Sequence, residues 1–104
     1  MPQVSVIMPA YNAEKTIESS IASVLNQSFS DWELLVINDG SNDATPALVE
    51  KYCLHDSRVK ILNLPKNAGL PNARNQGCLM AKGNFIAFLD SDDTWSADKL
   101  KMQL

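Results

Sequence analysis

Four short apolar runs, each closed by a turn signal, alternate along this chain with stretches whose apolar residues recur at helical spacing. The runs are Val4-Ser-Val-Ile-Met8, stopped by Pro9; Glu33-Leu-Leu-Val-Ile37, closed by Asn38-Asp39-Gly40; Val59-Lys-Ile-Leu62, ended by Pro65; and Asn84-Phe-Ile-Ala-Phe-Leu89, closed by Asp90. Their β-branched residues mark strands. The second and fourth are nearly continuous in apolar residues, the pattern of strands covered on both faces.

Ile17, Ile21, Val24 and Leu25 fall on one helical face, with Asn12 as the expected N-cap. Leu48, Val49, Tyr52 and Cys53 form a second stripe, after Asp43 as cap and Pro46 in the first turn. Leu70, Ala73, Gly77, Met80 and Ala81 form a third, with Pro71 near its start and Gly83 just past its end. Ala97–Leu104 reads as a helix just beginning, so a truncation point is expected at Leu104. Strand–helix alternation implies right-handed βαβ units. The fold class is therefore α/β, a Rossmann-like, open and mainly parallel sheet with flanking helices. Ligands bind such sheets beyond the carboxyl ends of the strands. Three of the four strand ends here carry chemistry.

Composition removes several other classes. The chain has 104 residues, 45% hydrophobic and 20% charged, with a net charge of −3. That supports one small soluble domain, and the scattered Lys and Arg form no nucleic-acid footprint. Cys53 and Cys78 lie far apart without metal-ligand spacing, and both are expected as buried free thiols. With neither a signal peptide nor a membrane-length apolar run, the expected setting is cytoplasmic, with the full-length protein there or at the inner face of the membrane. His55 reads as a surface residue.

The sharpest chemical signal is Asp90-Ser-Asp-Asp93 after the fourth strand. Carboxylates one residue apart can share a hard divalent ion, Mn²⁺ or Mg²⁺, with phosphate oxygens. They can equally be capping and solvated loop residues. A calcium loop counted from Asp90 would need Gly and Glu where Trp95 and Lys101 stand. A phosphate loop with Lys-Ser or Lys-Thr is absent, and the four glycines make no dinucleotide fingerprint. Asp39, in Asp39-Gly-Ser41, is either a turn residue or an acceptor for the N3–H of a uracil ring. Arg74 is either solvent-facing or, flanked by Ala73 and Gly77, turned toward the sheet edge to donate to a base carbonyl or phosphate. Pro9-Ala-Tyr-Asn12 is an ordinary turn or a surface along a flat base. Trp95 is expected to anchor the loop after the acidic cluster, and bordering a sugar pocket is its other reading.

Val4-Ser-Val-Ile-Met-Pro-Ala-Tyr-Asn12, Trp32-Glu-Leu-Leu-Val-Ile-Asn-Asp-Gly-Ser41, Asn67-Ala-Gly69, Ala73-Arg-Asn75 and Phe88-Leu-Asp-Ser-Asp-Asp93, in that order and spacing, resemble the N-terminal half of family 2 glycosyltransferases of the GT-A fold. The resemblance implies strand order 3-2-1-4 with the site between strands 1 and 4. It implies an inverting, hexosyl-type transfer from a nucleotide-sugar, UDP-linked first of all, to a saccharide, lipid-linked or protein acceptor, as in polysaccharide biosynthesis. Pro9, Ala10 and Tyr11 would border the base, Asp39 would read it, and Asn67 would lie in the donor-binding loop. Arg74 would contact base or phosphate, Asp90 the ribose, and Asp92 the metal; Asp93 would brace the loop. Leu70-Pro71 departs from the small residues usual after that loop. The family's catalytic base belongs to the half beyond Leu104, so none of these residues is assigned to it.

The alternative is a non-catalytic nucleotide-binding or regulatory α/β module. A response-regulator receiver would need an acidic pair where Pro9-Ala-Tyr11 stands, which argues against that version. An open parallel edge at the fourth strand also leads us to expect pairing with a second copy.

Overall fold

The computed structural model describes residues 2–104. β1 (Val4–Ala10) lies between β2 (Trp32–Asn38) and β4 (Phe85–Phe88), and β3 (Val59–Asn63) flanks β2, so the order is β3-β2-β1-β4 with every pairing parallel. Three crossover helices link them: α1 (Ile17–Leu25), α2 (Thr45–His55) and α3 (Leu70–Met80); α4 (Lys99–Gln103) follows. This is the open parallel sheet expected from the alternation.

The two-residue period of the strands sorts the core. Val4, Val6, Met8, Leu34 and Val36 point to one face, where Ile17, Ile21 and Val24 of α1 and Val49 of α2 cover them. Ile7, Leu35 and Ile37 point to the other, under Ala73 of α3. β1 and β2 are buried throughout, as continuous apolar runs require. The third helix sits very close. A Cβ on Gly77 would lie 2.5 Å from Ile7 Cγ2, so only glycine allows α3 that approach.

Five local expectations need correction. β1 does not stop before Pro9 but runs through it. Gln3 and Ile7 offer their carbonyls to β4, and Ala10 offers its own toward β2, so by alternation the ring nitrogen of Pro9 faces the β4 side. It can donate nothing there, and the ladder ends with the Leu89 N–H on Ile7 O. The two chains then part, which opens space at their carboxyl ends. Second, α1 begins at Ile17 after Thr16, so Asn12 does not cap it. Asn12 instead takes a left-handed conformation (φ 49°) and accepts the Asn42 N–H on its side chain. Third, β4 is not covered on both faces: Phe85, Ile86 and Phe88 are about half exposed. Fourth, Cys53 is only partly buried and Cys78 is exposed. Fifth, the N-cap of α2 is Ala44 and not Asp43, which stands one residue further out yet still accepts the Thr45 N–H at the start of the helix.

At the amino ends of the strands a buried carboxylate ties the layers together. Glu33 accepts Ser5 Oγ at 2.6 Å, the Lys82 N–H at 2.8 Å and Lys60 Nζ at 3.3 Å, while Ser5 Oγ accepts the Gly83 N–H. Burial pushes the Glu33 carboxyl up, but Ser5, the Lys82 amide and Lys60 together outweigh it and hold it below its ordinary value. Its folded-state value being depressed, its stabilisation is present above the unfolded glutamate value and lost as pH falls through the folded one. Glu33→Ala is expected to cost about 2–4 kcal/mol at neutral pH, because three donors lose their acceptor. Urea unfolding checks this, and the gap to wild type should narrow below the ordinary glutamate value of 4.5.

Candidate functional site

The sheet order reverses at β1: β2 and β3 are added on one side of it, and β4 returns to the other. Beyond the carboxyl ends of β1 and β4 lies an open cleft of about 380 Å³. Pro9, Ala10 and Tyr11 form one wall, Leu70 and Ala73 of α3 face it, and Asp39, Asp90 and Asp92 all line it. The three carboxylates, which the sequence places after two different strands, therefore share one cleft.

Asp39, directly after β2, is almost fully buried. Its Oδ1 accepts the Ala68 N–H at 2.9 Å, and its Oδ2 accepts the Gly69 N–H at 3.0 Å and Asn67 Nδ2 at 3.1 Å. A carboxylate has about four lone-pair positions, so these donors leave one for a ligand. Gly40 makes this loop contact possible. Its φ of 73° and the 2.4 Å from a hypothetical Cβ to Asn67 N show the β3–α3 loop lying directly on it. Asn67 itself stands outside the cleft lining, behind Asp39.

The wall carrying Tyr11 is held by a neighbouring loop. Ser41 Oγ accepts the Asn12 N–H, Thr45 Oγ1 accepts the Ala13 N–H, and Asp43 Oδ2 accepts the Glu14 N–H. Tyr11 is about half exposed, its ring available at the cleft.

Residues 90–93 form a turn closed by the Asp93 N–H on Asp90 O. Asp90, Ser91 and Asp92 line the cleft, whereas Asp93 turns its Oδ1 to the Thr94 N–H. Arg74 sits at the rim, its Nη2 3.6 Å from Asp90 Oδ1 and its guanidinium 5.6 Å from the Phe88 ring. Both partners of that ion pair are well exposed, so it adds little stability and the guanidinium stays free to exchange partners. Trp95 packs against the core below this turn, as an anchor should.

Among the described residues no three His, Cys, Asp or Glu side chains gather as a closed metal cage. Two carboxylates on an open cleft fit a different type of ion. Mg²⁺ and Mn²⁺ are held by one or two carboxylates together with phosphate oxygens and water. The donor set fits such an ion.

Several cleft residues went unread in the sequence. Thr16, Leu70 and Ser91 line it, yet each looks like ordinary helix-entry or turn chemistry. One signal in the sequence points to the cleft's support: Ser20, fully buried, interrupts the apolar stripe of α1 between Ile17 and Ile21.

The family model for glycosyl transferase family 2 matches residues 5–104. The chain belongs to glycosyl transferase family 2. Within the family it is 52% identical to the UDP-Glc:alpha-D-GlcNAc-diphosphoundecaprenol beta-1,3-glucosyltransferase WfgD of Escherichia coli, over 97% of this chain and 39% of that one. It is 45% identical to the putative teichuronic acid biosynthesis glycosyltransferase TuaG of Bacillus subtilis, over 99% of this chain and 41% of that one. The chain thus spans about two-fifths of these relatives. Among solved structures, S. aureus TarS 1-349 in complex with UDP-GlcNAc superposes with a TM-score of 0.90 at 37% identity, over 97% of this chain and 30% of that one. The mannosyltransferase PcManGT of Pyrobaculum calidifontis, in complex with GDP-Man and Mn²⁺, gives 0.85 at 26% identity, over 92% of this chain and 29% of that one. This family 2 member has the GT-A architecture of both. Among its described residues no helix is long and apolar enough to cross a membrane.

Proposed function

We propose that the protein transfers a hexosyl group, with inversion, from a nucleoside diphosphate-sugar, UDP-linked first of all, to an acceptor hydroxyl. In this reading residues 1–104 supply the donor side, while the acceptor surface and the base that deprotonates it lie elsewhere in the protein. The observation that carries it is the convergence of Asp39, Asp90 and Asp92 on one cleft of a family 2 chain.

Each group has a part. The base lies along Pro9, Ala10 and Tyr11, and the remaining lone pair of Asp39 accepts the imide N–H of uracil. A cytosine would present an acceptor there and be repelled. Arg74, at the rim, leaves its weak contact with Asp90 to donate to a base carbonyl or phosphate oxygen. Asp90 accepts a ribose hydroxyl. Asp92 offers an oxygen ligand to Mn²⁺ or Mg²⁺. When bound, that ion offsets the charge that builds on the departing diphosphate. The name of WfgD points the acceptor toward a saccharide on a lipid diphosphate, and that of TuaG toward one of teichuronic acid biosynthesis.

Asp39 supplies the test. Asp39→Ala is expected to weaken UDP by roughly 1.5–3 kcal/mol, the cost of a lost charged hydrogen bond, with a much smaller loss for ADP. Titration calorimetry with both nucleotides measures it. Equal losses for the two would mean that Asp39 only holds the 67–69 loop.

A further inference from the structure

Ser20 is a hydroxyl where the helical period calls for an apolar side chain. It is fully buried on the same face of α1 as Ile17, Ile21 and Val24. What it meets there is the back of the acidic turn. Its hydroxyl reaches both Ser91 O and Asp93 O, and Thr16 Oγ1 donates to Ser91 O at 2.9 Å. Each hydroxyl has one proton. Thr16, much nearer to Ser91 O than to Ala13 O at 3.4 Å, serves Ser91, which leaves Ser20 for Asp93.

These bonds bracket Asp92. The peptide before it is held through Ser91 O and the peptide after it through the Asp93 N–H on Asp90 O. The next is held through Asp93 O, which Ser20 engages. All three peptide planes around Asp92 are pinned, and its carboxylate is left facing the cleft.

The return leg is fixed from the same helix. Gln27, buried just past the end of α1, donates from Nε2 to Ser96 O at 2.6 Å and accepts the Leu100 N–H on Oε1 at 3.0 Å. Ser28 accompanies it through its own N–H to Ala97 O. A single amide side chain thus clamps the segment leaving the acidic turn and caps the first turn of α4.

We infer that α1 is the mount of the acidic turn, and that Ser20 and Gln27 are positioning residues that keep Asp92 aimed at the cleft before any ligand arrives. The inference rests on the donor reading above. Its physical content is preorganisation: the turn is ordered in advance, so binding does not pay that entropy.

The test compares Ser20→Ala, Gln27→Ala and Gln27→Glu with wild type in the intact protein. Ser23→Ala is the control, since that hydroxyl bonds only back to Ser20 O within α1. Near-ultraviolet circular dichroism establishes which variants are folded, and the Gln27 pair serves if Ser20→Ala is not. Without nucleotide, amide hydrogen exchange is expected to quicken at Asp93 and Thr94 in Ser20→Ala, and at Leu100 in Gln27→Ala. Gln27→Glu keeps the acceptor for Leu100 but loses the donor to Ser96, so Leu100 stays protected while the segment before it loosens.

UDP affinity measured with Mn²⁺ should fall about fivefold to thirtyfold in Ser20→Ala, the effect of one or two lost buried hydrogen bonds. UDP affinity in EDTA, and both affinities in Ser23→Ala, should stay within about twofold. Exchange that quickens with no change in the Mn²⁺-supported affinity would overturn the positioning role, as would unchanged exchange. Wild type showing no gain in UDP affinity from Mn²⁺ would sink the donor reading instead, a result separate from either.

Discussion

A Gly40→Ala protein is expected to lose about 3 kcal/mol or more of folding stability and most of its nucleotide affinity. The left-handed backbone at φ 73° alone disfavours alanine by about 1 kcal/mol. The larger part comes from overlap. The new Cβ would stand 2.4 Å from Asn67 N and 2.5 Å from Lys66 C, both backbone atoms, so no rotamer change relieves it. The 66–69 loop must move, and that loop supplies the Ala68 and Gly69 amides to Asp39. Urea unfolding and titration with UDP should therefore register the same substitution. A fully stable variant would show that the loop yields at little cost.

Asp92→Ala should have a different signature. Asp92 is exposed on a turn, so its removal should leave stability within about 0.5 kcal/mol of wild type. UDP affinity in the presence of Mn²⁺ should drop about 100-fold, to the level wild type shows in EDTA, because a deleted ligand costs at least as much as a disturbed supporting one. Calorimetry with and without chelator checks this directly. Affinity untouched by both the substitution and EDTA would remove the metal from the mechanism. Gly40→Ala and Asp92→Ala thus separate a residue that builds the site from one that serves in it.

Much of the architecture was legible because it depends on short periods. A residue's burial in β1 and β2 follows from unbroken apolar runs, and α1 follows from apolar positions three and four apart. The same reasoning failed for β4. Its run Phe85–Phe88 reads like β2, yet the structure leaves it an exposed edge, because periodicity reports what a strand could bury and not what covers it. The end of β1 differs from expectation for a related reason. Proline forbids one hydrogen bond, and whether that ends a strand depends on which neighbour it faces. Here the bond it lacks faces β4, so β1 continues beside β2.

The site divides along the same line. Carboxylates at strand ends are a local fact, visible in Asp39 after one apolar run and Asp90 after another. That they meet is a consequence of crossover: β4 returns beside β1 and not beside β3, bringing positions some fifty residues apart into one cleft. All but one of the Asp39 lone pairs are taken by a loop about thirty residues downstream, and the backbone on either side of Asp92 is held by the hydroxyls of Thr16 and Ser20, more than seventy residues upstream. Side-chain period and turn chemistry act over a few residues and are written in the order of the chain. Which strand ends face one another, and which donors reach them, depends on how the crossovers close in space, and distance along the chain carries little of that.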